Sequence, residues 1–250
     1  MTVKMEVNIR AFGARIIGGF PHRFENSFFH LATERLRQES GQDISAAIDT
    51  LGGLPVPQAL QHLPSRCLDW QPDIVVLQFG SSDLLVPVRK NRHLRQAGSP
   101  TGVAPHRAGL VHLLKWRARG LVGDLLQLKS VTLPEIYLDT MDQMIRTVAA
   151  HSAIPVVMSP FVLGSQRSDR IARRCVARLE KVAAAVPTAY YVEAYSALDK
   201  FPRREILLKD GKHLTIQGQV VVAELLFTVL GRVLRERETM FAENAKRENA

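Results

Sequence analysis

The sequence predicts an α/β fold in which a parallel sheet is covered by helices on both faces. Short apolar runs of strand type alternate along the chain with segments of helical periodicity. The run at residues 73–79 is β-branched and almost entirely apolar, as expected of a strand that is buried on both faces. With 250 residues, of which 46% are hydrophobic, the chain is long enough for one domain with a sizeable core.

The predicted elements follow one another as strand and helix from the N-terminus onwards. Strands are predicted at residues 15–17, 44–48, 73–79, 154–159 and 189–192. Helices are predicted at residues 27–38, 58–66, 134–151, 169–185 and 216–233. Gly18-Gly19 and Gly52-Gly53 end the first two strands, and Pro134 suits the first turn of its helix. The charged tail at residues 235–250 is expected to fray.

A basic segment interrupts this alternation after the third strand. No acidic residue occurs between positions 84 and 123, and this window holds most of the excess behind the net charge of +9. Its basic residues are Arg89, Lys90, Arg92, Arg95, Arg107, Lys115, Arg117 and Arg119. Residues 86–106 predict a long loop, and residues 108–128 predict an interrupted helix. We interpret residues 86–130 as an insertion into a single domain that spans residues 1–250, with a core at about 14–232.

The basic segment is compatible with several partners. It predicts either a solvated surface or attraction to an anionic ligand, a lipid head group or an acidic protein partner. Aromatic residues are nearly absent among these charges, which argues against nucleic acid. The leucines and Trp116 at residues 110–128 fit an amphipathic helix on a membrane surface, a lid over a cleft or an ordinary core helix.

We expect neither a metal, nor a cofactor, nor a membrane span. Cys67 and Cys175 lack metal-ligand spacing, and we interpret both as buried thiols. No apolar run reaches the length of a membrane span, and the N-terminus has no signal-peptide pattern. The expected location is therefore cytoplasmic.

The segment Asp210-Gly-Lys-His213-Leu-Thr precedes the last predicted helix. An Asp three residues before a His can fix one tautomer and one orientation of the imidazole, which supplies the base and the orienting acid of a nucleophile-activating triad. The same residues also suit a plain surface turn, with Thr215 capping the following helix. Among the eight histidines, only His213 has this setting.

Together with residues 72–83, which end in Gly80-Ser81-Ser82-Asp83, this segment resembles the SGNH (GDSL) hydrolases. The order and spacing of the motif blocks match over residues 14–232. The resemblance implies a flavodoxin-like three-layer α/β/α sandwich with a five-stranded parallel sheet. It also implies His213 as general base, Asp210 as its orienting carboxylate, and the activity of an ester (acyl) hydrolase.

Two further blocks of the resemblance concern the oxyanion. Ser82 stands where the family has an Asn amide donor, and a hydroxyl can also donate. Loss of one such donor typically slows a reaction by about 10²–10³. The oxyanion glycine falls on Gly52 or Gly53, with Gly53 preferred, although a plain strand-ending turn explains both. Asp83 is expected to tie the turn after the third strand to backbone amides.

The first block lacks the family's Gly-Asp-Ser. Gly18-Gly19-Phe20 follows the first predicted strand, so Phe20 takes the position of the nucleophilic serine. A phenylalanine cannot attack a carbonyl. Ser27 belongs to the first predicted helix, and the hydroxyls near the expected centre are those of Ser81 and Ser82.

These observations lead to three functional hypotheses. The first is a divergent ester (acyl) hydrolase or acyltransferase, although the absence of the nucleophilic serine argues against efficient turnover. The alternative is a non-catalytic pseudo-hydrolase that binds a small-molecule ester, an anionic ligand or an acidic protein partner through the cleft and the basic segment. The third is a module that binds anionic membrane surfaces.

Overall fold

A five-stranded parallel sheet forms the centre of the molecule. In the computed structural model, which describes residues 6–85 and 131–248, the strands are β1 Glu6–Gly13, β2 Asp43–Thr50, β3 Ile74–Gln78, β4 Ile154–Met158 and β5 Tyr190–Val192. Their order is β2-β1-β3-β4-β5, and every neighbouring pair is parallel. All residues of β3 are buried and this strand lies in the middle, so the predicted flavodoxin-like order is confirmed.

Helices cover both faces of the sheet. They are α1 Phe28–Ser40, α2 Val56–Leu60, α3 Leu63–Arg66, α4 Pro134–Ala150, α5 Gln166–Ala184, α6 Tyr195–Asp199, α7 Arg203–Ile206 and α8 Ile216–Glu248. α1 packs on α8, whereas α4 packs on α2 and α5, which gives the two outer layers of an α/β/α sandwich. The hydroxyl of Ser27 caps α1 by accepting the backbone N–H of His30.

The first strand lies earlier in the chain than the sequence predicted. In β1, buried Val7 and Ile9 alternate with half-buried Asn8 and Arg10, so the strand has a period of two instead of an apolar run. The residues predicted as the strand belong instead to a 3₁₀ turn, Arg15–Gly18. The predicted strand is therefore wrong, and the core starts well before its predicted boundary.

The C-terminal tail does not fray at residue 235, because α8 runs past it. The Arg237 guanidinium donates to Asp73 at 2.7 Å, next to the start of β3. The Gln42 amide, next to the start of β2, donates to Glu238 at 2.5 Å. These contacts hold the added turns of the helix against the sheet, and they join residues that are far apart in the sequence.

The long helix α8 is apolar enough to cross a membrane by length and composition over Ile216–Met240, contrary to the expectation that no run reaches that length. In this fold it packs against α1 and β5. Val222, Leu226, Leu230 and Val233 recur at helical spacing and are buried. The apolar character of α8 is therefore accounted for by its place in the core.

The residues on either side of the basic segment meet at one point of the domain. The N–H of Val131 donates to the Leu85 carbonyl oxygen at 2.9 Å, and the N–H of Thr132 donates to the Asp83 carbonyl oxygen at 2.8 Å. We call this pair of hydrogen bonds the neck. The loop and the helix predicted between residues 86 and 128 lie outside the described residues.

Both cysteines are free and buried, as predicted. Burial raises the pKa of the Cys67 thiol to about 12 and that of the Cys175 thiol to about 11. Both are therefore neutral thiols at physiological pH. In the part of the chain that the structure describes, no group of three or more His, Cys, Asp and Glu side chains is arranged to hold a metal ion.

Candidate functional site

Most of the predicted site residues meet in a cleft of about 250 Å³ at the carboxyl ends of the strands. The cleft is lined by Ala14, Arg15, Ile16, Phe20, Gly52, Gly53, Ser81, Ser82, Lys212 and His213. Six of these are candidates on sequence grounds, namely Phe20, Gly52, Gly53, Ser81, Ser82 and His213. The candidates Gly19 and Asp210 are not among the lining residues, and both support residues that are.

A tight turn before α8 carries His213. Gly211 has a φ of +65°, a conformation that glycine adopts without strain. The N–H of Leu208 donates to the carbonyl oxygen of His213, and Leu207 bridges to Leu214, so the turn closes as a short hairpin. The Asp-Gly pair in the sequence is the local signal for this turn.

Asp210 holds His213 in one orientation, and we call the two residues the dyad. The Asp210 Oδ2 lies 2.5 Å from Nδ1 of the imidazole, and its Oδ1 accepts the backbone N–H groups of Lys212 and His213, each at 3.0 Å. Burial alone would raise the pKa of Asp210, but these hydrogen bonds outweigh burial and lower the pKa to about 2. The carboxylate is therefore ionised at neutral pH, and the predicted contact between the two side chains is confirmed.

The second nitrogen of the His213 ring has no partner among the described residues. An ionised carboxylate can only accept a hydrogen bond, so Nδ1 carries the hydrogen and Nε2 of the neutral ring is an acceptor. The Phe20 ring packs edge-on against the imidazole, with 5.0 Å between the ring centroids. The dyad therefore presents an oriented base with no described hydroxyl within hydrogen-bond distance.

Asp83 ties the turn after β3 to two other segments. It is 1% exposed, and its carboxylate accepts the N–H of Val56 at 2.7 Å, the N–H of Gly80 at 3.2 Å and the hydroxyl of Thr132 at 3.2 Å. Burial raises the pKa of this carboxyl, and the hydrogen bonds oppose that effect only in part. The expected structural role of Asp83 is confirmed, and it holds the two serines of the turn at the cleft.

Gly52 and Gly53 line the cleft beyond the end of β2. Gly52 has a φ of +68°, and the Arg15 Nε lies 3.5 Å from the position that a Cβ would take. No described atom lies within 4 Å of the equivalent position on Gly53. The side of Gly53 on which a Cβ would lie is therefore more open than that of Gly52.

The fold has close counterparts among solved structures. A lipase/acylhydrolase from Enterococcus faecalis matches with a TM-score of 0.64 at 18% identity, over 90% of this chain and 96% of that chain. An acetylxylan esterase from Geobacillus stearothermophilus gives a TM-score of 0.65 at 13% identity, over 91% and 95%. A GDSL-like lipase from Bacteroides thetaiotaomicron gives 0.55 at 13% identity, over 90% and 88%. The chain has the SGNH hydrolase fold.

At the level of sequence, no protein-family model and no curated protein matches this chain. The predicted resemblance to the SGNH hydrolases is thus confirmed through the fold.

The first strand of the sheet ends before the residues that the sequence assigned to the first motif block. The family's Gly-Asp-Ser follows the first strand, and β1 ends at Gly13. The alignment of Gly19 and Phe20 with this block depended on a strand at residues 15–17, and the residues that follow β1 are instead Ala14 and Arg15. Gly13 meets a real constraint, because a Cβ there would lie 2.3 Å from the carbonyl oxygen of Gln78.

Gly19 and Phe20 shape the SGNH cleft in another way. Gly19 has a φ of +82°, and a Cβ at this position would lie 2.9 Å from the Cβ of Ser27. Glycine therefore allows the chain to pass close to the start of α1 before Phe20 reaches the ring of His213. Phe20 is 42% exposed and forms part of the mouth of the cleft.

Two cations of the SGNH cleft, Arg15 and Lys212, were not candidates on sequence grounds. Neither forms an ion pair with a described carboxylate, and the Arg15 guanidinium lies 5.6 Å from the centroid of the Phe20 ring. Burial lowers the pKa of Lys212 and Arg15 lowers it further, whereas Asp210 opposes both. The alternation at residues 7–11 is the signal that places Arg15 after the first strand, and Lys212 lies inside the Asp-x-x-His motif itself.

Proposed function

We propose that this protein uses the SGNH cleft to bind a small anionic ligand and that it forms no acyl-enzyme on serine. The observation that carries the proposal is Arg15, a cation that lies two residues after the end of β1 and in the same cleft as His213. A guanidinium stays protonated and cannot serve as the nucleophile in place of a serine. Its planar set of donors instead suits a carboxylate or a phosphate.

The electrostatics of the cleft support an anionic ligand. Arg15 and Lys212 line one small cavity, and no described carboxylate pairs with either side chain. Two neighbouring cations repel each other, and an anion bound between them relieves that repulsion. The carboxylate of Asp210 is already occupied by His213 and by two backbone N–H groups.

The remaining groups of the cleft suit an uncharged part of the ligand. Nε2 of His213 can accept a hydrogen bond from a hydroxyl, while the Ser82 hydroxyl and the backbone of Gly53 can donate to a carbonyl oxygen. The proposed ligand therefore carries an acidic group at one end and a carbonyl or ester group at the other.

A water-dependent ester hydrolase is the second candidate, and the oriented dyad is the observation that favours it. In this reaction Nε2 of His213 takes a proton from water, and the water oxygen adds to the ester carbonyl carbon. The carbonyl oxygen becomes an oxyanion, which Ser82 and Gly53 would stabilise. The proton then passes to the leaving alkoxide, and an alcohol and an acid are released.

Titration calorimetry tests the proposed anion site. Phenyl phosphate is expected to bind, and benzyl alcohol is not. Arg15→Gln and Lys212→Gln should each weaken binding of phenyl phosphate by about ten-fold, which corresponds to about 1.4 kcal/mol. Lys209→Gln removes an exposed cation outside the cleft and should leave the affinity unchanged. An affinity that is the same in wild type and in both cleft variants would rule out this site.

An ester assay separates the two candidates. With p-nitrophenyl acetate we expect wild type to turn over no faster than His213→Ala, and a fluorophosphonate probe should label neither protein. Steady turnover that disappears in His213→Ala without fluorophosphonate labelling would establish the water-dependent hydrolase. Labelling that Ser82→Ala abolishes would overturn both candidates, because a serine nucleophile would then be present.

A further inference from the structure

In the sequence, Lys212 lies between Asp210 and His213, and its side chain lines the cleft. Its backbone N–H donates to Asp210 Oδ1 at 3.0 Å, so the turn fixes the point from which its side chain starts. Lys212 is half-buried and forms no ion pair with a described carboxylate, whereas Lys209 is exposed and lies outside the cleft lining. Water therefore solvates the charge of Lys209, whereas the charge of Lys212 is partly shielded from water and has no described carboxylate partner.

The surroundings of Lys212 make its ammonium group easier to deprotonate than that of an exposed lysine. Burial lowers the pKa of Lys212. The Asp210 carboxylate opposes this effect, and repulsion by Arg15 adds to it more weakly. Desolvation and a neighbouring cation are the two means by which proteins convert a lysine into an amine nucleophile. His213, which follows Lys212 in the turn, directs Nδ1 towards Asp210 and has no described partner on Nε2.

We infer that Lys212 forms an imine with the aldehyde or ketone group of a small anionic ligand. This inference rests on the proposed function, because Arg15 would hold the anionic group of that ligand. The lone pair of the neutral amine adds to the carbonyl carbon, and the carbonyl oxygen takes up a proton to give a carbinolamine. The carbinolamine loses water and leaves a carbon–nitrogen double bond. The amine and the carbonyl compound thus give an imine and water, with no oxidant or reductant.

The dyad suits the proton transfers of this reaction. Nε2 of His213 can accept the proton that the nitrogen loses after addition, and can return it to the carbinolamine hydroxyl, which leaves as water. The ionised carboxylate of Asp210 stabilises the imidazolium that forms in between. No described hydroxyl lies within reach of Nε2 of His213. In imine formation this nitrogen would instead move the proton that the lysine nitrogen loses.

The cleft limits the ligand to a small molecule. Its volume of about 250 Å³ lies just below the usual range of pockets for drug-sized ligands. The cation of Arg15 calls for a phosphate or carboxylate on the ligand, and Lys212 calls for a reactive carbonyl nearby. Phosphorylated aldehydes and short keto acids share this chemistry.

Reductive trapping of the intact protein tests the inference. The protein is incubated with pyridoxal 5′-phosphate or with pyridoxal, reduced with borohydride, and mapped by peptide mass spectrometry. At neutral pH we expect pyridoxal 5′-phosphate to modify Lys212 about ten-fold faster than exposed Lys209, since the neutral amine is the reactive form. Pyridoxal lacks the phosphate and should lose most of this preference. Trapping of Lys212 by glyoxylate in place of the phosphorylated aldehyde would assign the site to keto acids.

Substitutions identify the reacting group. Lys212→Arg keeps the positive charge and removes the primary amine, so its peptide should carry no trapped adduct. Lys209→Arg is the matched control and should leave trapping at Lys212 unchanged. Arg15→Gln should reduce trapping of Lys212 by pyridoxal 5′-phosphate by about ten-fold, because it removes both the anion partner and the repulsion.

Equal rates of modification at Lys212 and Lys209 in wild type would overturn the inference, and this measurement needs no variant. Pyridoxine 5′-phosphate, which has an alcohol in place of the aldehyde, separates this failure from a failure of the proposed function. If it binds in a manner that depends on Arg15 while trapping is absent, only the imine is refuted. If it does not bind at all, the anion site itself is refuted.

Discussion

Asp83 and Asp210 both organise loops at the cleft, but the protein holds their charges in opposite ways. Asp83 is almost fully buried and accepts hydrogen bonds from three segments, and burial raises the pKa of its carboxyl. Asp210 is partly exposed and accepts hydrogen bonds from its own turn, and its pKa is lowered to about 2. Asp83 links segments of the fold through hydrogen bonds, and Asp210 is the charged hydrogen-bond partner of His213.

Of the two carboxylates at this cleft, Asp83 should mainly affect the stability of the fold, and Asp210 should mainly affect the state of the His213 ring. Removal of a buried acceptor leaves several donors without a partner, which costs more than removal of a part-exposed one. Removal of the charge beside an imidazole instead changes which ring nitrogen carries the hydrogen. Variants of Asp83 should therefore be recognised by their unfolding, and variants of Asp210 by the state of the His213 ring.

The largest effect is expected for Asp83→Ala. This change leaves the N–H groups of Val56 and Gly80 and the hydroxyl of Thr132 without their acceptor. We expect the free energy of unfolding to fall by about 3–5 kcal/mol, as measured by urea denaturation.

Asp142→Ala is the matched control for Asp83→Ala. The Asp142 carboxylate pairs with Arg146 on the surface of α4, so its loss should change stability little. If Asp83→Ala were as stable as Asp142→Ala, the structural half of the comparison would be lost.

A smaller loss of stability is expected for Asp210→Asn, about 1–2 kcal/mol, because its acceptor interactions are partly exposed to solvent. The larger change should concern His213, whose Nδ1–H would lose its charged acceptor. Nitrogen NMR of the imidazole should show one dominant tautomer in wild type and a mixture in the variant. An unchanged tautomer would mean that the carboxylate does not orient the ring.

The two carboxylates should also give opposite pH dependences of stability. A lowered pKa means that Asp210 stabilises the fold above the unfolded pKa of about 3.9, and that this contribution is lost as pH falls towards its folded pKa of about 2. A raised pKa means that the contribution of Asp83 declines as pH rises from about 3.9 through its folded value.

Urea unfolding between acid and neutral pH measures both slopes. The stability advantage of wild type over Asp210→Asn should shrink towards low pH, whereas its advantage over Asp83→Asn should shrink towards high pH. Parallel slopes for the two pairs would contradict the assigned directions of the pKa shifts.

The smallest effect is expected for Thr132→Val, which removes one of the three donors to Asp83. We expect a loss of about 1 kcal/mol in the free energy of unfolding. Thr228→Val on α8 removes an exposed hydroxyl that donates to a carbonyl oxygen of its own helix, and it should change stability less. Equal losses of stability in the two variants would show that the hydrogen bond from the Thr132 hydroxyl to Asp83 adds nothing to the stability of the fold.

The parts of the fold that the sequence predicted well are those with strong local signals. The strand β3 is apolar from Ile74 to Leu77 because both of its faces are covered, and such a run is visible in the sequence. The turn between Asp210 and His213 is encoded by an Asp-Gly pair and by hydrogen bonds within the turn. Both lie where the sequence placed them because the residues of each segment carry its signal.

The parts that the sequence did not predict depend on tertiary structure. Asn8 and Arg10 interrupt the apolar pattern of β1, so the strand was placed too late and Arg15 was passed over. The last turns of α8 are charged and resemble a fraying tail until the bond from Arg237 to Asp73 is known. One misplaced strand therefore left Arg15 out of the predicted cleft.

The neck has a consequence for how this protein can change over evolutionary time. The domain itself holds residues 85 and 131 together through a backbone hydrogen bond, and 45 residues lie between them. The entropy of closing a flexible loop grows only with the logarithm of its length, at about 0.6 kcal/mol for each doubling. Insertions and deletions between these two positions therefore burden the sheet very little. A stretch with nine basic residues can therefore change in length and sequence while the two positions that anchor it stay the same.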